Sequence, residues 1–176
     1  MKRTFVFYAC FLIATVGVSA QTVNGKPWSF LYQSADNGIL SRTAETSIGS
    51  YGKLSISLIY NNKSQEGIFY GLKISSDTAS GYLSYSASRA FRESFGTLKA
   101  LFGQDMRNEQ REPSIKAQYI TQSRIGISYT IIDGTPAWSF IFNDAVIDLP
   151  LDDIPQYYAF FDKAVEVLEK NVEKIQ

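Results

Sequence analysis

Apolar and polar positions change period several times along this chain, and the changes divide it into elements. In Lys53–Tyr60, Leu54, Ile56, Leu58 and Tyr60 alternate with Ser55 and Ser57. In Ile68–Ser75, Ile68, Tyr70, Leu72 and Ile74 alternate with Phe69, Gly71, Lys73 and Ser75. A period of two belongs to a strand with one face buried. Asn61–Gly67 and Ser76–Gly81 have turn composition, and Tyr82–Ser86 reads as a short further strand. The period then lengthens: Ala87, Phe91, Phe95, Leu98 and Phe102 recur every three or four positions, which is the spacing of one helix face. Strand spacing returns in Lys116–Gln122 and in Ile125, Ile127, Tyr129 and Ile131. Asp133-Gly134-Thr135-Pro136 then turns the chain, so Trp138, Phe140 and Phe142 run back antiparallel. Ala145–Leu149 is one more short strand. The strongest helical signal is Pro155–Ile175, where Ile154, Tyr158, Phe161, Val165, Leu168, Val172 and Ile175 form a narrow stripe that needs a surface to lie on.

Upstream of these elements, Trp28–Gln33 has the aromatic content of a strand. Ser34–Gly52 is rich in Ser, Gly, Asn and Thr and reads as a long connection, in which Ile39–Thr46 could form a strand. Gly96 weakens the first helix by about 1 kcal/mol relative to Ala, and Gly103 is placed to cap it. The charged stretch 104–114 reads as a linker. The pattern therefore predicts an α+β domain over residues 21–176, built from two ββββα repeats at about 28–103 and 115–176. Antiparallel sheets are each packed by a helix, and the long C-terminal helix lies on the strands before it. Phe91, Phe95 and Phe102 align with Tyr157, Phe161 and Leu168 at a constant offset of 66.

Composition adds a compartment. Lys2 and Arg3 precede an apolar run, Phe5–Val18, and Val18-Ser19-Ala20 supplies small residues at a cleavage position. Residues 1–20 read as a signal peptide cleaved after Ala20, which predicts a secreted or periplasmic protein. The run is shorter than the roughly 20 residues that span a bilayer. Cys10 lies in the middle of that run and not at a lipid-attachment position. It is the single cysteine, and the chain has no histidine. Ser-His and Cys-His nucleophile pairs and ordinary zinc sites are thereby excluded. Removing Lys2 and Arg3 from the 17 basic residues leaves 15 against 17 acids. That net charge of −2 provides no basic field for nucleic acid.

Candidate chemistry is sparse. Asp144, Asp148, Asp152 and Asp153 cluster near the last helix, and two carboxylates about 5–10 Å apart would suit a glycan hydrolase. A simpler reading puts Asp152 or Asp153 at the helix start, Asp144 in a turn and Asp148 on the wet side of a strand. Tyr60, Tyr70 and Tyr129 share the period of the core residues. Tyr82, Tyr119 and Tyr51 are less constrained, and aromatic faces stack on flat partners. Lys73 and Arg124 are the isolated cations nearest the sheets. The expected binding set is Lys73, Tyr82, Tyr119 and Arg124, in a non-enzymatic domain without metal or cofactor. Its partner is expected to be an envelope or extracellular protein or glycan. The stripe on the last helix could also meet its own copy in a homodimer.

Four strands and then a helix, twice over, resembles the Whirly and PUR-alpha class of folds. The resemblance lies in element order over most of residues 28–175 and involves no residue motif. It implies a pseudo-symmetric domain with helices covering one side of curved sheets, and single-stranded nucleic acid as a ligand on a sheet surface. The exported, slightly acidic character of this chain departs from that ligand preference.

Overall fold

The computed structural model describes residues 22–23, 26–27, 29–34, 40–63, 67–109, 112–143 and 145–172, with side chains placed from residue 44 onward apart from 61–69. Residues 1–20, on which the signal-peptide reading falls, together with Trp28, Asp144 and the last four residues lie outside this description. A two-residue ladder pairs β1 (Thr22–Val23) with β2 (Lys26–Pro27). The first large sheet runs in sequence order through β3 (Ser29–Ser34), β4 (Leu40–Tyr51), β5 (Leu54–Lys63), β6 (Gly67–Ser75) and β7 (Ser80–Ser84), all antiparallel. It leads into α1 (Tyr85–Arg107). The second sheet is β8 (Ser114–Ile120), β9 (Ile125–Ile132), β10 (Thr135–Phe142) and β11 (Ala145–Leu149), again in order and antiparallel. A single 3₁₀ turn, Leu151–Asp153, leads into α2 (Ile154–Val172). The chain is thus α+β, with a ββββα arrangement repeated. Among the described residues no helix is long and apolar enough to cross a membrane.

Three sequence expectations need correction. The connection Ser34–Gly52 is mostly strand. β4 pairs with β5 along its length through a bulge between Ser47 and Gly49, with Ala44 and Thr46 buried on one face. Its residues are small and polar, so strand composition is weak even though the alternation is present. The first ββββα unit therefore begins at Leu40, and β3 is an added edge strand. Second, Gly103 does not end α1, which continues to Arg107 and is capped at Asn108, shortening the charged linker. Third, α1 starts at Tyr85, inside the expected Tyr82–Ser86 strand, because the Ser84 hydroxyl accepts the Ala87 N–H at 3.2 Å.

The helices are exchanged between the sheets. α2 lies across β4, β5 and β6 of the first sheet, and α1 reaches from β6 and β7 onto β8 and β9 of the second. Phe91 of α1 meets Tyr119 and Phe140, and Phe95 and Phe102 meet Trp138. Conversely Tyr157 and Phe160 of α2 pack on Tyr51. The surface that the last helix needs is therefore supplied chiefly by the first half. One continuous core results, holding Leu54, Ile56, Leu72, Ile127, Tyr129, Trp138, Phe140, Phe161 and Leu168 together, with each fully buried side chain contributing roughly 1.5–3 kcal/mol. Buried α1 positions Ser88, Phe91, Phe95 and Leu98 correspond, at the offset of 66, to buried α2 positions Ile154, Tyr157, Phe161 and Ala164. Gly96 lies where the helices cross. A Cβ there would come 3.4 Å from the Tyr158 hydroxyl, and Lys99 Nζ sits 4.2 Å above the Tyr158 ring. A Cβ at this position would thus meet Tyr158 at ordinary van der Waals distance.

Candidate functional site

The two halves meet at a groove of about 550 Å³ between the end of β7, the first turns of α1 and the β8–β9 turn. Tyr82 and Tyr119 stand among its walls. Ser84 and Ser86 contribute hydroxyls from the helix start, Thr121, Gln122 and Ser123 contribute polar groups from the turn, and Ala87 and Ala90 add methyl surface. Tyr82 is 50 % exposed on the outward side of β7. Tyr119 is half-buried, its ring edge-on to Phe91 at 6.0 Å.

Both walls are fixed by local hydrogen bonds. The Ser84 and Ser86 hydroxyls are 3.2 Å apart at the N-terminus of α1. In the turn, Thr121 Oγ1 accepts the Ile125 N–H at 3.2 Å and donates to the Ile125 carbonyl at 2.9 Å, with Ser123 Oγ 3.1 Å away. Arg124 sits at φ 57°, its N–H donating to the Thr121 carbonyl and its own carbonyl accepting from the Asn143 N–H. A non-glycine residue in the left-handed region is retained only where its surroundings over-determine it. The turn is therefore a rigid wall.

The repeat shows why this corner is open. At the offset of 66, Ala87 corresponds to Asp153, at the start of α2. There Asp153 Oδ1 accepts the Tyr51 hydroxyl at 3.2 Å, the Tyr157 hydroxyl accepts the Lys53 N–H at 3.2 Å, and Lys53 Nζ donates to the Asp148 carbonyl at 3.1 Å. Side chains from the β4–β5 turn and the α2 start thus bridge that corner, leaving a smaller recess of about 300 Å³ beside Lys53 and Asp148. The other corner has only the methyl of Ala87 in the corresponding place.

Of the expected binding residues, Tyr82 and Tyr119 are brought together in this groove. Lys73 is the ladder partner of Tyr82 but is bound to Glu45 Oε2 at 3.0 Å, outside the groove lining. Arg124 stands on the turn behind the groove and shapes it through its backbone. Tyr129 is core, as its spacing predicts, and burial, followed by its hydrogen bond to Asp105, pushes its pKa well above the usual tyrosine value. Tyr60 and Tyr70 pack on each other against the core, and burial first, then Tyr60, pushes Tyr70 up to about 12. Tyr51, one of the less constrained tyrosines, is held by Asp153 and Tyr157. Sequence reading missed Ala87, Ala90, Thr121 and Ser123. The absence of bulk at positions 87 and 90, set against Asp153 and Gln156 in the other copy, is the signal that identifies the groove.

The carboxylates are occupied elsewhere. Asp148 accepts from Ser139 at 3.2 Å on the exposed face of β10–β11, where it was expected. Asp153 bonds Tyr51 instead of capping α2 with its side chain. Asp162 and Glu169 hold Arg92, at 3.7 and 3.2 Å, across the helix pair. None of the residues lining the groove is acidic or basic, and among the described residues no cluster of three or more Asp or Glu could hold a metal. The groove offers hydroxyls, one amide and two aromatic rings, which supply hydrogen bonding and stacking. The chain matches no known family model, no curated protein and no solved structure at a significant level.

Proposed function

We propose that this chain is an exported, non-enzymatic binding domain whose ligand is a neutral glycan of an envelope or extracellular component, held in the groove between Tyr82 and Tyr119. The observation that carries this reading is the uncharged, hydroxyl-lined groove flanked by two tyrosines, at the corner that has Ala87 where the other copy has Asp153. Sugar rings present axial C–H faces to aromatic rings and hydroxyls to Ser, Thr and Gln, and this surface supplies both. The signal-like residues 1–20 support export. The element order is that of the Whirly and PUR-alpha class, but a groove without cations favours a neutral ligand over a nucleic-acid strand. A carboxylate-dependent hydrolase is the weaker alternative, because the described acids nearest the corners bond Tyr51 and Ser139.

The test is a glycan array followed by titration calorimetry. Binding is expected to be independent of salt, to weaken about tenfold or more in Tyr82→Ala, and to be blocked by Ala87→Trp, which fills the groove. Failure of every glycan to bind, or unchanged affinity in both variants, would overturn the proposal. Hydrolysis of a bound glycan would establish the enzyme alternative, and salt-dependent capture of single-stranded DNA the fold analogy.

A further inference from the structure

The outward face of the second sheet carries few charges. Across β8, β9, β10 and β11 one row reads Ile120, Gly126, Ile141, Val146, and the next reads Gln118, Ser128, Ser139, Asp148. Ile120 is 44 % exposed and Val146 64 %. At Gly126 an added Cβ would lie 2.7 Å from the Tyr119 carbonyl and 2.9 Å from Ile120 Cγ1. The glycine therefore lets Ile120 lie flat along the strip. A third row is Lys116, Thr130, Ala137. Lys116 and Asp148 are the two charged residues on this face among the described residues, and they stand on opposite edge strands.

We propose that this face joins two copies of the chain. The contact would be isologous, about a twofold axis running along the strands. That axis lays β8 over the partner's β11 and β9 over the partner's β10. The aliphatic strip then meets its own reverse, with Ile120 against the partner's Val146 and Ile141 against the partner's Gly126. Gln118 falls opposite the partner's Asp148, and Lys116, one row away, lies diagonally across from that same carboxylate. The charge contact occurs twice and no like charges are superposed. Short Ser, Thr, Ala and Gly side chains permit the close approach of aligned stacked sheets. Four strands about 4.8 Å apart and up to eight residues long cover about 500 Å² per copy. This is at the low end for specific interfaces, so a reversible dimer is expected. The dimer seam expected on the last helix is excluded by its geometry, since Val165 and Leu168 are fully buried within one chain.

Sedimentation velocity of the purified protein from about 1 to about 200 µM tests this. The expected result is a mass that rises toward the dimer value, while Val146→Asp and Val146→Lys remain monomeric with unchanged circular dichroism. Lys116→Asp weakens association about tenfold, and adding Asp148→Lys restores it. A wild-type protein that is monomeric throughout, or a dimer that survives both Val146 substitutions, overturns the proposal.

Discussion

Phe91 joins more of the molecule than any other described residue, and Phe91→Ala tests the exchanged packing directly. The ring is fully buried and meets Phe161 of α2 at 4.7 Å, Phe140 of β10 at 5.6 Å, Tyr119 of β8 at 6.0 Å and Phe95 at 6.3 Å. Truncating a buried Phe costs about 3–5 kcal/mol, and loss of the closest aromatic pairs places this site toward the upper half of that range. A domain of this size is stable by about 5–15 kcal/mol in total, so about a quarter or more of its stability is at stake. At about 2–4 °C per kcal/mol, the thermal midpoint should fall by about 8–16 °C. Urea titration followed by far-ultraviolet circular dichroism and tryptophan fluorescence provides the assay. Both probes should report one coincident transition, shifted to lower urea. A Phe91/Phe161 double-mutant cycle should return a coupling of about 0.5–1.5 kcal/mol. A cost below about 1.5 kcal/mol, or two separated transitions in the wild type, would refute the shared core and leave the halves as independent units.

The other predictions concern backbone geometry and ionisation. Gly52 has φ 52°, and a Cβ there would fall on the Tyr157 hydroxyl. Gly52→Ala should therefore destabilise by about 2–4 kcal/mol in urea melts, and adding Tyr157→Phe should recover part of the loss. Tyr70 and Tyr129 have folded pKa values raised above the unfolded value of 10.0. Above that pH the unfolded chain gives up protons that the folded chain keeps, so stability present below pH 10 should decline as pH rises toward 12. Urea midpoints measured across that window should fall, with a shallower slope in Tyr129→Phe, and a flat profile would contradict the burial of these hydroxyls.

The fold was legible wherever one face of an element is apolar and the other is not. β5, β9, β10 and α2 all announce themselves by period, and the offset of 66 matched the buried positions of the two helices. β4 was only partly legible, because Ala44, Thr46 and Ile48 bury little bulk and the strand bends at its bulge. The helix exchange was invisible. A stripe states that a surface is needed and carries no information about which sheet provides it, so the nearest strands were the natural assignment. The site was legible in its aromatics and not in its shape. Tyr82 stands out as a tyrosine off the core period, while Tyr119 lies on the inward face of β8 with Ile115 and Ala117; a groove is made by what is missing, and two alanines have no signature until the second copy supplies the comparison.

The exchanged helices also set an order of events for the growing chain. The first sheet can pair its strands as they are made, but the helix that covers β4, β5 and β6 lies far downstream, at Ile154–Val172. The aliphatic side of that sheet, including Leu54, Ile56 and Ile74, therefore lacks its principal cover until α2 has been made. These distant pairings must close a loop of roughly a hundred residues, which slows their formation relative to the local hairpins. A fragment ending at Arg107 retains the strands of the first sheet but lacks the helix that packs across β4, β5 and β6.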